Sequence, residues 1–363
     1  MIESLSEIIN LVGFFSGSLI ISAVINNFFL KFSKNLGTRN KEQLTMRWSA
    51  EAKPSMGGIS FYITYLLSFM IYAIMFGKAD VFQNKQLLGL FFSINVAFLL
   101  GLSDDAYNTK PFIKLGSQIL CGIILVNTNN EILLFDQEWL NYTLTIFWVV
   151  AIMNSINMLD NMDSITTTTS IFIILSILGI SFPFNFINNV HLFLIITALG
   201  ALGGFLIFNW NPAKMFMGDT GSQFLGMFLA YYSIKFLWNR GVDEGEYSIF
   251  SNVTLVLVAF ATPIVDTTFV VLRRLNRKQS PMIGGKDHTT HSLSYFGFTD
   301  RQVGYIFVVL GIVSAMLAHN IANFIPHNSF SLLLMWGYVA MLLLIFISIA
   351  KYTTKVKNKE KSD

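Results

Sequence analysis

The chain is built from apolar runs about as long as a bilayer is thick, separated by short polar breaks. A transmembrane helix needs about 20 consecutive apolar residues. Runs of that kind recur at 8–30, 57–76, 86–102, 115–128, 141–160, 164–183, 189–208, 221–239, 248–272, 304–324 and 331–350. Lipid offers no hydrogen bonds to an open backbone, so runs with no barrel-like alternation must be helices. The pattern predicts an all-α polytopic membrane protein with about eleven spans, or ten if the short fourth run does not cross. Only 12% of the residues are charged, against about 25% in soluble domains. A soluble globular enzyme and a disordered chain are thereby excluded. One cysteine, Cys121, leaves no disulfide framework. The acidic start MIESLSE lacks the basic flank of a secretory signal, so the first run is read as a retained span. No linker or repeat interrupts the pattern. Residues 1–363 read as a single transmembrane domain, with a polar, basic tail at 351–363 that reads as a frayed end.

Basic residues then orient the spans, because Lys and Arg accumulate in cytoplasmic loops. With the N-terminus outside, twenty of the 24 basic residues fall on the inner side, against Lys78, Lys85, Lys235 and Arg240 outside. The expected topology is N-terminus outside and C-terminus cytoplasmic in a cell membrane. No nucleic-acid partner is expected.

Carboxylates at membrane depth are costly and mark functional sites by default. On this topology they gather at the inner face. In GLSDDAYNTKPFIKLGSQ, Asp104 and Asp105 leave an apolar run and are followed by Lys110 and Lys114. Adjacent carboxylates repel, so they call for a proton or a cation. In NSINMLDNMDSI, Asn154, Asn157, Asp160 and Asp163 recur every three residues. On a helix they form a polar stripe about 13 Å long. In NWNPAKMFMGDTGSQFLG, Asp219 sits in a glycine-flanked turn before the eighth run. Such a helix start presents backbone N–H groups to an anion, and magnesium is commonly held by one or two carboxylates plus substrate phosphates. The segment 273–303 carries six basic residues, a Gly-Gly pair, His288 and His291. It reads either as a positive-inside anchor or as an anion-binding arm. Two histidines without a third ligand fall short of a zinc site. Lys53 precedes Gly57 and Gly58, which permit close backbone approach. Asp266 lies inside the ninth run and marks either a broken helix or a structural hydrogen bond.

Taken together, these segments resemble the polyprenyl-phosphate N-acetylhexosamine-1-phosphate transferases, in the same motif order and over most of the chain. FMGDTGS after NPAK is the most specific of them. The resemblance implies transfer of a sugar 1-phosphate from a UDP-N-acetylhexosamine to undecaprenyl or another polyprenyl phosphate, with release of UMP. It implies a Mg2+ cofactor, with Mn2+ as a substitute, on Asp219 and Asp160. Asp104 and Asp105 match the paired aspartates near the lipid phosphate, one of them the candidate base. Asn157, Asp160 and Asp163 match the nucleotide-facing stripe, which Asn154 extends. Phe216 matches an aromatic that stacks on uracil, Lys53 and Lys114 match phosphate contacts, and His288 and His291 match the outer members of a His-x-His-His signature. The sequence departs from the pattern where Asn161 and Ser164 replace glycines and Thr290 replaces the middle histidine. A His-His-His-Phe-Glu run typical of the peptidoglycan translocases is absent, which favours a plain N-acetylhexosamine, GlcNAc first, over a muramyl-pentapeptide. Direct attack and a covalent aspartyl-phosphate route are both open, and a homodimer is compatible with the family. The rival readings are a transporter or flippase, which should carry polar groups at mid-bilayer, and a non-catalytic lipid-binding protein.

Overall fold

A computed structural model describes residues 5–33, 53–76, 83–181, 189–242, 248–280, 285–325 and 330–360, and no strand occurs among them. The helices are α1 (Leu5–Ser33), α2 (Gly57–Phe76), α3 (Lys85–Tyr107), α4 (Pro111–Asn127), α5 (Glu138–Leu159), α6 (Ile165–Ser181), α7 (Asn189–Asn209), α8 (Gly218–Ser233), α9 (Ile249–Ala259), α10 (Ala261–Asn276), α11 (Thr289–Phe296), α12 (Asp300–Asn323) and α13 (Ser331–Glu360). A π turn, Ile234–Trp238, extends α8. Local chemistry sets several of the ends. The Asn84 side chain accepts from the Leu87 N–H at the start of α3. Pro111 opens α4, where its missing N–H has no helical partner to lose. Thr299 and Gln302 form a capping box on α12.

Among the described residues, seven helices are long and apolar enough to cross a membrane, or eight if α9 and α10 count as one span bent by 78°. The chain is therefore an all-α, multi-pass membrane protein. The other predicted spans correspond to the 17-residue helices α4 and α6 and to α8 with its π turn. Helix α13 runs unbroken to Glu360, so the tail that reads as frayed is helical up to that point. Of the basic residues used to orient the chain, Lys34, Arg39, Lys41, Arg47, Lys78 and Lys361 lie outside the described residues.

Helix α8 forms the centre. Every residue of Gly218–Ser233 is buried except Asp219. Helices α2, α3 and α5 pack directly on it, and α1 packs on α7 at the side. Apolar rings fill the space around α8: Phe224 lies edge-on to Tyr65 at 5.8 Å, and Phe228 lies 4.6 Å from Tyr232. Small residues bring the start of α2 and the end of α3 close to the start of α8, the usual device where lipid supplies no hydrophobic drive. A Cβ on Gly58 would fall 2.7 Å from the Thr220 carbonyl carbon. One on Gly101 would fall 2.5 Å from Thr220 Cα.

Candidate active site

The site lies where the first turn of α8 meets the end of α3. Gly218 adopts φ +75°, a conformation strained for other residues. A Cβ there would also stand 2.7 Å from an Asp105 oxygen. The adjacent aspartates part company at this junction. Asp105 Oδ2 accepts from the Thr220 backbone N–H at 2.9 Å and from Thr220 Oγ1 at 2.7 Å. It therefore satisfies an otherwise unpaired donor of the helix start and favours its positive dipole end. Asp104 turns the other way. Its Oδ1 accepts from the Thr109 N–H and Oγ1, both at 2.9 Å, and its Oδ2 pairs with Lys114.

Asp219 completes the cluster. Its carboxyl lies within hydrogen-bonding reach of Asp104, and its Oδ1 accepts from Asn157 Nδ2 at 2.8 Å. The same Asn157 amide also donates to Ser222 Oγ at 2.8 Å. Two carboxyls so close cannot both be ionised without a proton or a cation between them. Among the described residues no three His, Cys, Asp or Glu side chains form a ready-made metal cage.

The stripe does not hold as one helical face. Helix α5 ends at Leu159, so Asp160 caps it and Asp163 lies in the turn beyond. Asn154 exchanges hydrogen bonds with Gln118 of α4, donating at 2.7 Å and accepting at 3.3 Å. That is the interhelical bonding expected of a polar residue in a span. Asp163 Oδ2 accepts from Asn211 Nδ2 at 3.0 Å and from the Ala213 N–H at 2.9 Å. It thereby anchors the loop that carries Phe216. The same loop binds the Lys53 segment through its backbone: the Phe216 N–H donates to Pro54 O at 2.8 Å, and the Gly57 N–H donates to Phe216 O at 3.1 Å. Lys53 Nζ stands 5.7 Å from the centre of the Phe216 ring, within cation–π range.

Asp266 proves to be both things the sequence allows. It lies on α10, just past the 78° bend, and ties down the start of α11. His288 Nδ1 meets its Oδ2 at 2.9 Å, and the Thr289 N–H and Oγ1 donate to its Oδ1 at 2.9 and 2.6 Å. One residue earlier, Asp287 takes a bidentate pair from Arg274 at 2.9 and 2.7 Å, so Arg274 is a loop anchor within the basic segment. Thr290 and Asn161, two of the three departures from the motif, touch: Thr290 Oγ1 donates to Asn161 Oδ1 at 2.6 Å.

The titration of this loop has a measurable consequence. Burial, with the His288 charge second, pushes the His291 imidazole down to about 3. An unfolded chain takes up that proton below about pH 6.5, whereas the folded chain stays neutral. Stability therefore falls as pH drops through this window, by up to about 1.4 kcal/mol per pH unit. Burial alone would raise the Asp287 pKa, but the Arg274 hydrogen bonds and charge hold it below the ordinary value. Its contribution is present above the unfolded carboxylate pKa and is lost only as pH falls through the lower folded value. Thermal unfolding between pH 7 and pH 5 should show a falling Tm in the wild type and a flatter profile in His291→Gln. Equal slopes would refute the His291 attribution.

Sequence reading missed Thr109, Thr220 and Ser222, short hydroxyl residues with no signal of their own. Gln118 and Gln223, bonded to each other at 3.2 Å, had a signal as polar residues within apolar runs.

Residues 87–237 match the family described as glycosyl transferase family 4, a stretch that encloses Asp104, Asp105, Asn157, Asp160, Asp163 and Asp219. A probable undecaprenyl-phosphate N-acetylglucosaminyl 1-phosphate transferase of Bacillus subtilis (strain 168) is 29% identical over 278 residues, 72% of this chain and 73% of its own length. A phospho-N-acetylmuramoyl-pentapeptide-transferase of Streptococcus agalactiae serotype Ia is 30% identical over 224 residues, 57% of this chain and 66% of its own length. One from Listeria innocua is 26% identical over 317 residues, 80% and 89% of the two lengths. The motif order and these matches agree: residues 87–237 carry the pattern of glycosyl transferase family 4, in line with the chain's resemblance to the polyprenyl-phosphate N-acetylhexosamine-1-phosphate transferases.

Proposed function

We propose that the protein transfers N-acetylhexosamine 1-phosphate, GlcNAc 1-phosphate first, from a UDP-sugar to undecaprenyl phosphate or a related polyprenyl phosphate and releases UMP. The reaction takes place at the cytoplasmic face of the cell membrane, with the N-terminus outside. The observation that carries the reading is Asp219. It is the one residue of an otherwise buried α8 that keeps some exposure, and it faces Asp104 and Asn157. The name of the Bacillus relative supports the choice of sugar.

In the proposed reaction an oxygen of the lipid phosphate attacks the β-phosphorus of the UDP-sugar. The bond from that phosphorus to the bridging oxygen breaks, and UMP leaves. Both reactants are anionic, so the site must supply positive charge. The crowded Asp104–Asp219 pair fits a cation, and Asp219, with Asp160 as second candidate, would hold a Mg2+ (or Mn2+) that neutralises the pyrophosphate. Lys114 and Lys53 bring further positive charge toward the phosphates, and Phe216 offers a ring to the uracil. Asp104 is the candidate base. A phosphomonoester loses its second proton near pH 6, so this step contributes little at neutral pH, and loss of Asp104 should cost less than loss of Asp219. The aromatic filling around α8 by Tyr65, Phe224, Phe228 and Tyr232 speaks against a transport path.

Membranes containing the protein, incubated with labelled UDP-GlcNAc, undecaprenyl phosphate and Mg2+, should yield labelled lipid and free UMP in equal amounts. UDP-MurNAc-pentapeptide should transfer poorly. Failure to label lipid from either donor would overturn the reading, and preference for the pentapeptide would overturn the sugar assignment.

A further inference from the structure

The reaction described above makes no use of the side chains of Asn161 and Thr290, yet they join the Asp160–Asp163 turn to the start of α11 across 129 residues of sequence. Asn161 stands in the turn between Asp160 and Asp163. Its backbone N–H donates to Leu159 O at 2.8 Å, and its Nδ2 donates to Met158 O at 3.0 Å. The amide is thus held from one side, and its Oδ1 receives the Thr290 hydroxyl at 2.6 Å. Thr290 is completely buried, between His288 and His291 on α11. The anchors at the start of α11 otherwise come from α10, through Asp266 to His288 and Thr289 and through Arg274 to Asp287. Those bonds fix α11 to the bent span. The Asn161–Thr290 bond fixes it to the turn that carries the aspartates.

We infer that the Asn161–Thr290 hydrogen bond is a positioning device for the UDP-sugar donor: it sets the spacing between the Asp160–Asp163 turn and the His288–His291 helix. This rests on the transferase reading above. A donor that must touch both the turn and the helix binds only when they stand at the right distance. If the bond is lost, a smaller fraction of the protein is competent and the apparent affinity falls by that fraction. A buried neutral hydrogen bond has a net worth that corresponds to about a five- to tenfold change. The acceptor lipid phosphate is assigned to Asp104 and Lys114, on α3 and α4, so its binding should be insensitive to the pair.

The test uses the purified full-length protein with labelled UDP-GlcNAc and undecaprenyl phosphate, and fits KM for each substrate and kcat. Thr290→Val removes the hydroxyl at constant shape. It should raise the donor KM about five- to tenfold, with the acceptor KM unmoved and kcat within about twofold. Thr290→Ser should restore the donor KM. Asn161→Ala should match Thr290→Val, and the double variant should be no worse than either single one, because both remove one shared interaction. Asn161→Ala, at a half-buried turn position, carries the test if Thr290→Val fails to fold. A wild-type donor KM in both single variants, a loss confined to kcat or to the acceptor KM, failure of Thr290→Ser to restore, or additive losses would each overturn the inference. A wild-type protein that transfers no label would instead overturn the transferase reading.

Discussion

Asp219→Asn should lower UMP release at least about 10³-fold while the protein still folds. The rate change corresponds to about 4 kcal/mol of lost transition-state stabilisation, the range found when a preorganised charge-stabilising group is removed. Folding should survive for a reason visible in the site. Asn keeps the shape of Asp, and its carbonyl oxygen can still accept from Asn157 Nδ2, which now stands 2.8 Å from Asp219 Oδ1. The substitution also removes a carboxylate from beside Asp104, so the Tm should be equal or higher. The decisive comparison is UMP release and thermal unfolding on the same preparation, with Mg2+ varied to saturation. Wild-type UMP release with an unchanged Mg2+ dependence would show that Asp219 is not the principal metal-holding carboxylate.

Gly101→Ala should damage both stability and rate. The new methyl group would meet Thr220 Cα at 2.5 Å and the Asp219 carbonyl carbon at 2.7 Å. These are backbone atoms, and no side-chain rotation relieves the clash, so α3 must shift off α8. Overpacking of this kind costs about 1–3 kcal/mol. The same shift separates Asp104 from Asp219 and Asp105 from Thr220, and a misplacement of about 1 Å at reacting groups can cost about 10²-fold in rate. Gly116→Ala on α4 is the control: nothing lies within 4 Å of its Cβ position, and Ala at a helical Gly should be neutral or stabilising by up to about 1 kcal/mol. Equal Tm and kcat in the two variants would refute the role given to the α3–α8 contact.

Much of this site is legible in the sequence because charge is so sparse in an apolar chain. Asp104, Asp105, Asp219 and the 157–163 segment could be singled out as polar groups that lipid does not tolerate unpaired. Their division of labour could not. Asp104 and Asp105 look like one repelling pair in sequence. Successive helical residues point about 100° apart, and that angle sends Asp105 to Thr220 and Asp104 to Lys114 and Thr109. Likewise the three-residue spacing of Asn154, Asn157, Asp160 and Asp163 suggests one helical face, but α5 stops at Leu159 and four equivalent-looking residues acquire different partners. Asn154 binds another span, Asn157 binds Asp219, Asp160 caps the helix and Asp163 holds the loop before α8.

The sequence by itself determined the solvent of this protein, its all-helical class and the identity of nearly every polar group at its site, because a bilayer permits few alternatives to each. Only the tertiary structure decided which of those groups act on one another. Those pairings depend on where helices end and how closely they cross. Such contacts as Gly101 against Thr220 and Thr290 against Asn161 join residues more than a hundred positions apart, and no local pattern records them.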